Sequence, residues 1–439
     1  MKTLIWSQLD PAQQALSLAR PAIANDQGLR KKVASIIAEV KTDGDAALAR
    51  FSRLFDGHTP SRWHIPASQL QQAADSLDPA LRQAIENAKN RIVRFHQAQM
   101  PQDIRVETAP GVVCACLHRP IQRVGLYVPA GSAPLPSTVL MLAIPATIAG
   151  CPDIVLATPP GADGLPDPVV MATAALCGVN HVVPAGGAQA IAALAYGTDS
   201  IPKVDKIFGP GNAWVTEAKQ QVAADPAGAA IDMPAGPSEV MVVADGSVPA
   251  RFAAVDLLSQ AEHGPDSQAI LVTSDRDFLH AVRHELETTL KRLPRAETAR
   301  RSLDHGRMIL APDTAAMQTI SNMYAPEHLI VQLDRPETFL TGVNAAGSVF
   351  LGPWTPESLG DYCSGANHVL PTYGHARHMS GLSVTDFLLR ITVQQASANG
   401  LRNIGPDTEM LARAEGLEAH RLAVSDRLAW LEQTGGVAP

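Results

Sequence analysis

The sequence is poor in cysteine and in long uninterrupted hydrophobic runs. Its five cysteines form no Cys-x-x-Cys pair, and such a set fits neither a disulfide framework nor a zinc ribbon but favours a reducing compartment. The longest apolar stretch, Val139 to Ala149, contains Pro145 and is shorter than the roughly 20 residues that cross a bilayer. The N-terminal run is broken at Gln8 and Asp10 before a signal peptide develops. We therefore predict a cytoplasmic protein without membrane attachment.

An excess of positive charge is also absent. The 439 residues carry a formal net charge of -8, whereas proteins that bind the phosphate backbone usually present a basic surface. We therefore predict no nucleic-acid partner. With 46% hydrophobic and 18% charged residues, the chain is globular and long enough for two or more hydrophobic cores.

From about residue 110, short β-branched runs alternate with segments rich in alanine and leucine. This alternation is typical of successive βαβ units, so the sequence predicts an α/β fold with two Rossmann-like parallel-sheet domains and small helical ends. We predict an N-terminal helical segment at 1–24 and a helical tail at 382–439. Between them lie a first α/β domain in two pieces, 25–122 with 239–381, and a second α/β domain at 123–238.

Three glycine-rich turns fall where strands should give way to helices: Pro129–Pro134, Ala185–Gln189 and Gly209–Asn212. Each could present backbone N–H groups to an anion. The third begins like the G-x-G-x-x-G dinucleotide fingerprint but has Trp214 at its last position, so a standard Rossmann site is not supported. Ordinary turn chemistry explains any one turn about as well as cofactor binding, but three of them in one unit favour an anionic ligand.

Glu327 and His328 are adjacent, and Pro326 precedes them at the entrance to an apolar run. Proline disfavours helix in the residue before it, so the pair should project from a fixed turn, as proton transfer requires. An isolated Glu-His pair is more often plain polar surface. The interpretation as an acid–base pair therefore depends on the other motifs.

Candidate metal ligands are scattered along the chain. Gln260 and His263 lie three apart at the end of a predicted helix, and Asp361 follows a predicted strand at its carboxyl end, where α/β sheets usually keep their sites. Glutamine is an uncommon ligand and Asp361 could be a helix cap. His368 could be a structural histidine, and Glu415 with His420 could lie on a solvated helix.

Taken together, these motifs are recognisable. The chain resembles the histidinol dehydrogenase family over nearly its full length, through Gly125–Pro129, Gly186–Ile191, Asp205–Asn212, Met233–Glu239, Leu257–Asp266, Pro326–His328 and Asn367–Pro371. It departs from the family pattern at Ala130, where glycine is usual, and at Leu389, where we expect a basic residue.

The resemblance implies two cofactors and a second subunit. One Zn²⁺ per subunit would be held by Gln260, His263, Asp361 and His420, and NAD⁺ would be contacted from Tyr127, Gln189 and Asn212. L-Histidinol would be contacted by Ser238, Gln260, His263, His328, Asp361, His368, Glu415 and His420. In this interpretation 123–238 binds NAD, 25–122 with 239–381 is catalytic and binds the metal, and 382–439 dimerises and contributes to the partner's site.

The implied reaction is a four-electron oxidation of L-histidinol through the aldehyde to L-histidine with two NAD⁺, the last step of histidine biosynthesis. Alcohol oxidation needs a base, for which a neutral imidazole such as His328 is suited. Aldehyde oxidation needs an activated water, for which Glu327 is the candidate. Two alternatives stay open: a related zinc and NAD dehydrogenase for another alcohol, such as a sulfonated diol, and a catalytically silent oligomeric binding protein.

Overall fold

The computed structural model describes residues 1–20, 27–130, 134–234 and 236–434. The strands are β1 (Lys2–Ile5), β2 (Ile104–Ala109), β3 (Val112–Pro120), β4 (Arg123–Tyr127), β5 (Asp153–Thr158), β6 (His181–Pro184), β7 (Lys206–Phe208), β8 (Ala230–Ile231), β9 (Glu239–Ala244), β10 (Gln268–Thr273), β11 (Arg307–Leu310), β12 (His328–Gln332), β13 (Ser348–Leu351) and β14 (Leu388–Ala396). The helices are α1 (Pro11–Ser17), α2 (Gln27–Asp43), α3 (Asp45–Phe55), α4 (Ala67–Asp75), α5 (Pro79–Gln97), α6 (Pro136–Ala149), α7 (Pro168–Leu176), α8 (Gly187–Tyr196), α9 (Ala213–Ala224), α10 (Ala250–Ala261), α11 (Arg276–Leu290), α12 (Ala296–His305), α13 (Thr314–Tyr324), α14 (Pro336–Leu340), α15 (Glu357–Tyr362), α16 (Ala398–Ala414) and α17 (Glu418–Gln433).

The larger sheet has six strands in the order β1-β11-β10-β9-β12-β13, and every neighbouring pair is parallel. Both faces are covered: one core contains Val240, Leu257 and Phe278, and the other contains Met241, Tyr324 and Phe339. Burial on both faces explains why its central strands are continuous apolar runs rather than alternating ones.

The second sheet has five parallel strands in the order β6-β5-β4-β7-β8. The predicted α/β class with two parallel-sheet domains is therefore confirmed. Its core includes Val33 and Leu48, from helices α2 and α3, packed with Ile191 and Val215, and α4 and α5 contact α7 and α6. The predicted grouping of 25–122 with the 239–381 domain thus differs from the structure, because the apolar faces of these helices cover the five-stranded sheet.

Contacts divide the chain into two compact units, residues 1–99 with 121–387 and residues 100–120 with 388–439. The second unit contains an antiparallel sheet in the order β14-β3-β2, with helices α16 and α17. The prediction of a purely helical tail from 382 is wrong, since β14 is nine residues long and pairs along its whole length with β3.

The predicted helical segment 1–24 also differs from the structure at its beginning. Residues 2–5 form the edge strand β1, which pairs with β11, and only α1 is an α-helix; residues 21–24 lie outside the described part of the chain. Helix α6 contains Pro145 and continues through it to Ala149. Among the described residues, no helix combines the length and apolarity needed to span a bilayer.

Candidate functional site

Most of the predicted catalytic and metal residues converge at the amino-terminal edge of the six-stranded sheet. His328 is the first residue of β12, and it pairs with Val240 of β9 and Ser348 at the start of β13. Helix α10 follows β9 and returns toward this edge, and its last turn carries Gln260. The expectation that Asp361 lies at the carboxyl ends of the strands is wrong. It belongs to α15, where its charge acts on Glu327 just before β12.

The turn before β12 is held in an uncommon conformation. Helix α13 ends at Ala325, whose φ of 52° is left-handed, and Pro326 follows. Such a backbone is unusual for a residue with a Cβ and persists only where its surroundings hold it. The peptides around Gly347 donate to the carbonyls of Pro326 and Glu327, which ties the turn to β13. Glu327 and His328 therefore project from a rigid turn, as the sequence predicted.

One residue, Glu239, orients both members of the acid–base pair. Its backbone N–H donates to Oε2 of Glu327 at 2.8 Å, and its carbonyl lies 3.0 Å from Nδ1 of His328. Because a carbonyl only accepts, Nδ1 of His328 carries the hydrogen and Nε2 holds the lone pair. Nε2 is buried and has no hydrogen-bond partner among the described residues, so the basic atom is left for a ligand.

The site concentrates buried carboxyl groups. Burial raises the pKa of Glu327 well above its ordinary value, and the charges of Glu239, Glu357 and Asp361 raise it further. Burial likewise raises the pKa of Glu357, and raises that of Asp361 to about 6. Burial lowers the pKa of His328 to about 3, so its imidazole is neutral near pH 7. A cluster of this kind favours a bound cation, which would offset the mutual repulsion of the carboxylates.

Three side chains form a group that could hold a metal ion: His263, Glu357 and Asp361 each offer one ligand atom, all within 4.8 Å of one another. Gln260 is fully buried, yet neither its Oε1 nor its Nε2 has a hydrogen-bond partner in the described structure. Buried polar atoms are nearly always paired, so the Gln260 amide fits a metal ligand. Partial burial and the Arg295 charge lower the pKa of His263, which keeps the imidazole neutral, as ligation requires.

Sequence reasoning missed Glu357. Its Oε1 lies 3.7 Å from Nδ1 of His328, and its side chain is buried. A signal was present, because Glu357 and Asp361 are four apart and so share one helical face. The helix α15 is only six residues long, however, and so short an element leaves no periodic pattern from which to predict a helix.

His368 and Ser238, which the resemblance implies contact the substrate, lie in the same unit. Burial lowers the pKa of His368 to about 4, and its Nε2 has no partner in the described structure. Its neighbour Asn367 donates to the carbonyl of Met141 in α6 at 2.8 Å, which fixes the segment against the five-stranded sheet. Ser238 is half-buried directly before β9, and its carbonyl accepts from Gln268.

The glycine-rich turns lie at the carboxyl edge of the five-stranded sheet. The turn at 185–189 joins β6 to α8, and the turn at 209–212 joins β7 to α9; residues 131–133 of the first turn lie outside the described residues. Tyr127 is buried and its hydroxyl accepts from the N–H of Gly187. Gln189 is also buried, whereas Asn212 is exposed and its Oδ1 caps α9.

Gly209 is constrained by its surroundings. Its φ is +119°, and a Cβ there would lie 2.1 Å from the carbonyl oxygen of Tyr127. The buried Lys219 donates to the Gly209 carbonyl at 2.8 Å and pairs with Asp232, which accepts from the Gly209 N–H. Both backbone polar groups of Gly209 are therefore held by the Lys219–Asp232 pair, which fixes the conformation of the turn.

Glu415 and His420 belong to the second compact unit. Glu415 ends α16 and His420 lies in the first turn of α17, and both are exposed. Leu389 lies on β14 and is also largely exposed. The site described above thus contains three of the four predicted metal ligands, Gln260, His263 and Asp361.

Comparisons with known proteins identify relatives over nearly the whole chain. The family model described as histidinol dehydrogenase matches residues 19–428. A histidinol dehydrogenase of Vibrio parahaemolyticus is 51% identical over 433 residues, covering 99% of this chain and 100% of that protein, and one of Xanthomonas axonopodis pv. citri is 54% identical over 428 residues, covering 98% and 99%. The crystal structure of histidinol dehydrogenase from Elizabethkingia anophelis superposes with a TM-score of 0.94 at 43% identity, covering 98% of this chain and 99% of that one.

Proposed function

The chain belongs to the histidinol dehydrogenase family and is an oxidoreductase of histidine biosynthesis, and from this premise we propose the details of its reaction. It oxidises L-histidinol through the aldehyde to L-histidine in the cytoplasm, with NAD⁺ as oxidant and zinc as resident metal. The observation that carries this proposal is the convergence of a buried acid–base pair with a group of metal-ligating side chains.

His328 is the proton acceptor in the alcohol step. Its Nδ1–H is committed to the Glu239 carbonyl, so Nε2 accepts the hydroxyl proton of the substrate as the hydride leaves. An imidazolium in a buried site is costly, but carboxylate oxygens of Glu327 and Glu357 each lie 3.7 Å from Nδ1. When these carboxyl groups are ionised, their charges would stabilise the transient cation, because opposite charges at this distance favour the ionised form.

Glu327 acts in the aldehyde step, where a water must add to the carbonyl carbon. Its Oε2 accepts the Glu239 N–H, which holds the carboxylate in place. The raised pKa of this group, caused by burial and neighbouring carboxylates, makes it a stronger base than an exposed glutamate once it is ionised. A general base is effective when its pKa approaches the working pH.

Gln260, His263 and Asp361 would hold the zinc, with Glu357 beside them. The donor set of imidazole, amide and carboxylate is compatible with zinc, and the unpartnered Gln260 amide fits the role. When bound, zinc supplies a cationic centre that can chelate the amino and imidazole nitrogens of histidinol and so orient the reacting carbon. Ser238 and His368 would contact the substrate; Ser238 lies directly before β9, and His368 follows Asn367, which is anchored to Met141.

NAD⁺ would be held at the carboxyl edge of the five-stranded sheet, where it would supply the hydride acceptor. Asn212 presents an exposed amide at the start of α9, while Tyr127 and Gln189 shape the turn at Gly186 and Gly187. The N-termini of α8 and α9 suit the dinucleotide phosphates, because helix N-termini attract anions.

Glu415 and His420 complete the site from a second copy of the chain. The proposal is supported by their exposure on α16 and α17 and by the family resemblance. His420 would be the fourth zinc ligand, and Glu415 would pair with the ammonium group of the substrate. Mixing inactive His420→Ala and His263→Ala subunits should restore part of the activity, because a mixed dimer then contains one intact site. Absence of recovery after subunit exchange would assign the tail to its own subunit.

The alternative of a dehydrogenase for a sulfonated diol is not favoured, because relatives named histidinol dehydrogenase share more than half of the aligned residues over nearly the full length. A catalytically silent binding protein would have no reason to keep the acid–base pair and the ligands intact.

NADH yield is the decisive test. The purified zinc-loaded protein should form two NADH for each L-histidinol consumed, whereas a simple alcohol dehydrogenase would form one. A sulfonated diol and an uncharged alcohol serve as control substrates, and metal analysis should find one zinc per chain. No NADH from histidinol with a zinc-loaded protein would overturn the proposal.

A further inference from the structure

We propose that Arg20 is a positioning residue for both Glu327 and His328, acting through Glu239. The guanidinium of Arg20 donates two parallel hydrogen bonds to the Glu239 carboxylate, from Nε to Oε1 at 2.5 Å and from Nη2 to Oε2 at 2.8 Å. Both side chains are largely buried, with 12% and 2% of their surfaces exposed. Bidentate pairs of this kind fix orientation as well as charge.

Glu239 passes this constraint to the catalytic pair. Its N–H donates to Oε2 of Glu327 and its carbonyl accepts from Nδ1 of His328, so the backbone of one residue sets the direction of a carboxylate and the tautomer of an imidazole. Glu239 is the first residue of β9, where register pairing with β10 and β12 is just beginning. The side-chain anchor therefore acts where the sheet restrains the strand least.

Arg20 also binds the turn that precedes β12. Its Nη2 donates to the Tyr324 carbonyl at 2.8 Å and to the Ala325 carbonyl at 3.3 Å, and the guanidinium carbon lies 4.0 Å from the centre of the Tyr324 ring. Ala325 is the left-handed residue of the turn that presents Glu327 and His328. One side chain thus fixes the start of β9 to the turn before β12, and both of these segments determine the geometry of the acid–base pair.

A purely structural role is the competing interpretation. A buried ion pair that loses one partner is strongly destabilising, because the remaining charge is left unpaired, whereas replacing both partners by apolar groups is often neutral. Stability and positioning can therefore be separated. The variant Arg20→Met leaves the buried Glu239 carboxylate without its cation, although its Oε1 still accepts from the Tyr373 N–H. The double variant R20M/E239L removes both charges but keeps the backbone of residue 239.

The experiment measures melting temperature, zinc content, kcat and KM for R20K, R20M and R20M/E239L. Since a misplaced catalytic group costs about 100-fold, we expect kcat to fall about 100-fold in R20M, while KM for histidinol changes less than about twofold. R20K should recover part of this loss. In the double variant the melting temperature should return toward wild type while kcat stays low. Arg50→Met, which removes an exposed arginine paired with Asp43 and Glu39, should leave kcat unchanged.

A second measurement does not depend on activity. With ¹⁵N-labelled histidine, the His328 resonances of the wild type should report the Nδ1–H tautomer, and R20M should shift them toward the other tautomer or a mixture. This inference rests on the proposed function, but the two fail differently. An inactive wild type would refute the proposed function, whereas an active wild type with wild-type kcat in R20M, or recovery of kcat together with melting temperature in R20M/E239L, would refute positioning alone.

Discussion

The two parallel sheets place their candidate functional residues at opposite edges. In the five-stranded sheet, the glycine turns at 185–189 and 209–212 lie at the carboxyl ends of strands, as open α/β sheets usually arrange ligand sites. In the six-stranded sheet, Glu239 and His328 begin their strands, and α10 brings Gln260 to the same amino-terminal edge. Two parallel sheets in one chain therefore carry their candidate sites at opposite ends of their strands.

Helix polarity explains the difference. The N-terminus of a helix carries partial positive charge and free N–H groups, and the C-terminus carries partial negative charge and free carbonyls. Helices α8 and α9 begin at the glycine turns, which suits an anionic dinucleotide. Helix α10 ends beside His263, and a helix C-terminus suits a cation. The comparison predicts that substitutions at the amino-terminal edge affect chemistry and metal binding, and those at the carboxyl edge affect NAD binding and stability.

The largest effect is expected for His328→Asn. Asparagine can still donate to the Glu239 carbonyl as Nδ1 does, but it has no basic atom in place of Nε2. Since a general base contributes typically 10²- to 10⁴-fold, we expect the first hydride transfer to slow by about that factor. Single-turnover NADH formation measures it. An unchanged rate would show that His328 is not the base and that the amino-terminal edge of the six-stranded sheet is not the catalytic site.

Glu327→Gln should separate the two oxidation steps. Glutamine keeps an oxygen that can accept the Glu239 N–H but cannot deprotonate water, so oxidation of the aldehyde should fall by about 10²-fold, the lower range for general base catalysis. Alcohol oxidation should be affected less. Stopped-flow assays started from histidinol and from the aldehyde compare the two steps, and equal losses would contradict the assignment.

Glu357→Gln tests the residue that the sequence did not reveal. The change removes one charge from the carboxyl cluster and one candidate ligand of the group with His263 and Asp361. Loss of a group near a metal typically costs about 10- to 100-fold in affinity, so zinc should be lost at lower chelator concentration. Titration with a chelator measures this, with Glu337→Gln on α14 as a matched surface control. Unchanged zinc affinity together with reduced turnover would show that Glu357 acts on His328 and not on the metal.

The sequence predicted the α/β class, the parallel sheets and the acid–base pair, because these depend on local patterns. It did not predict the edge at which the pair lies. Motif spacing shows that Asp361 follows a strand but not that α15 carries it back toward the start of β12. The strand β14 did carry a signal, the alternation of Leu389, Ile391 and Val393, but the helical composition around it concealed the pattern.

Contacts between distant parts of the chain were beyond sequence reasoning for a different reason. Arg20 and Glu239 are 219 residues apart, and no sequence pattern links the two. The grouping of α2 and α3 with the five-stranded sheet was missed because an amphipathic helix shows which face is buried but not what covers it.

At the carboxyl edge, Gly209→Ala should raise KM for NAD⁺ and lower stability without changing zinc content. An added Cβ would meet the Tyr127 carbonyl oxygen in a backbone of φ +119°, and substitution at such a position costs more than about 1 kcal/mol. Gly150→Ala is the matched control, because its φ is +83° but its Cβ meets open space. A similar KM for NAD⁺ in both variants would show that the turn at 209 has no part in NAD binding.

The smallest effect, at Asn212, distinguishes a helix cap from a cofactor contact. The Asn212 Oδ1 accepts from the N–H groups of Trp214 and Val215, so Asn212→Ala should cost about 1 kcal/mol of stability through the lost cap. Asn212→Asp keeps the cap, since aspartate is an equally good capping residue, but it places a negative charge where the NAD phosphates are proposed to bind. We therefore expect N212D to retain the melting temperature while raising KM for NAD⁺ more than N212A does. If KM instead followed stability in both variants, Asn212 would be a cap alone, and anion recognition at this edge would have to be assigned to the turn at Gly186 and Gly187.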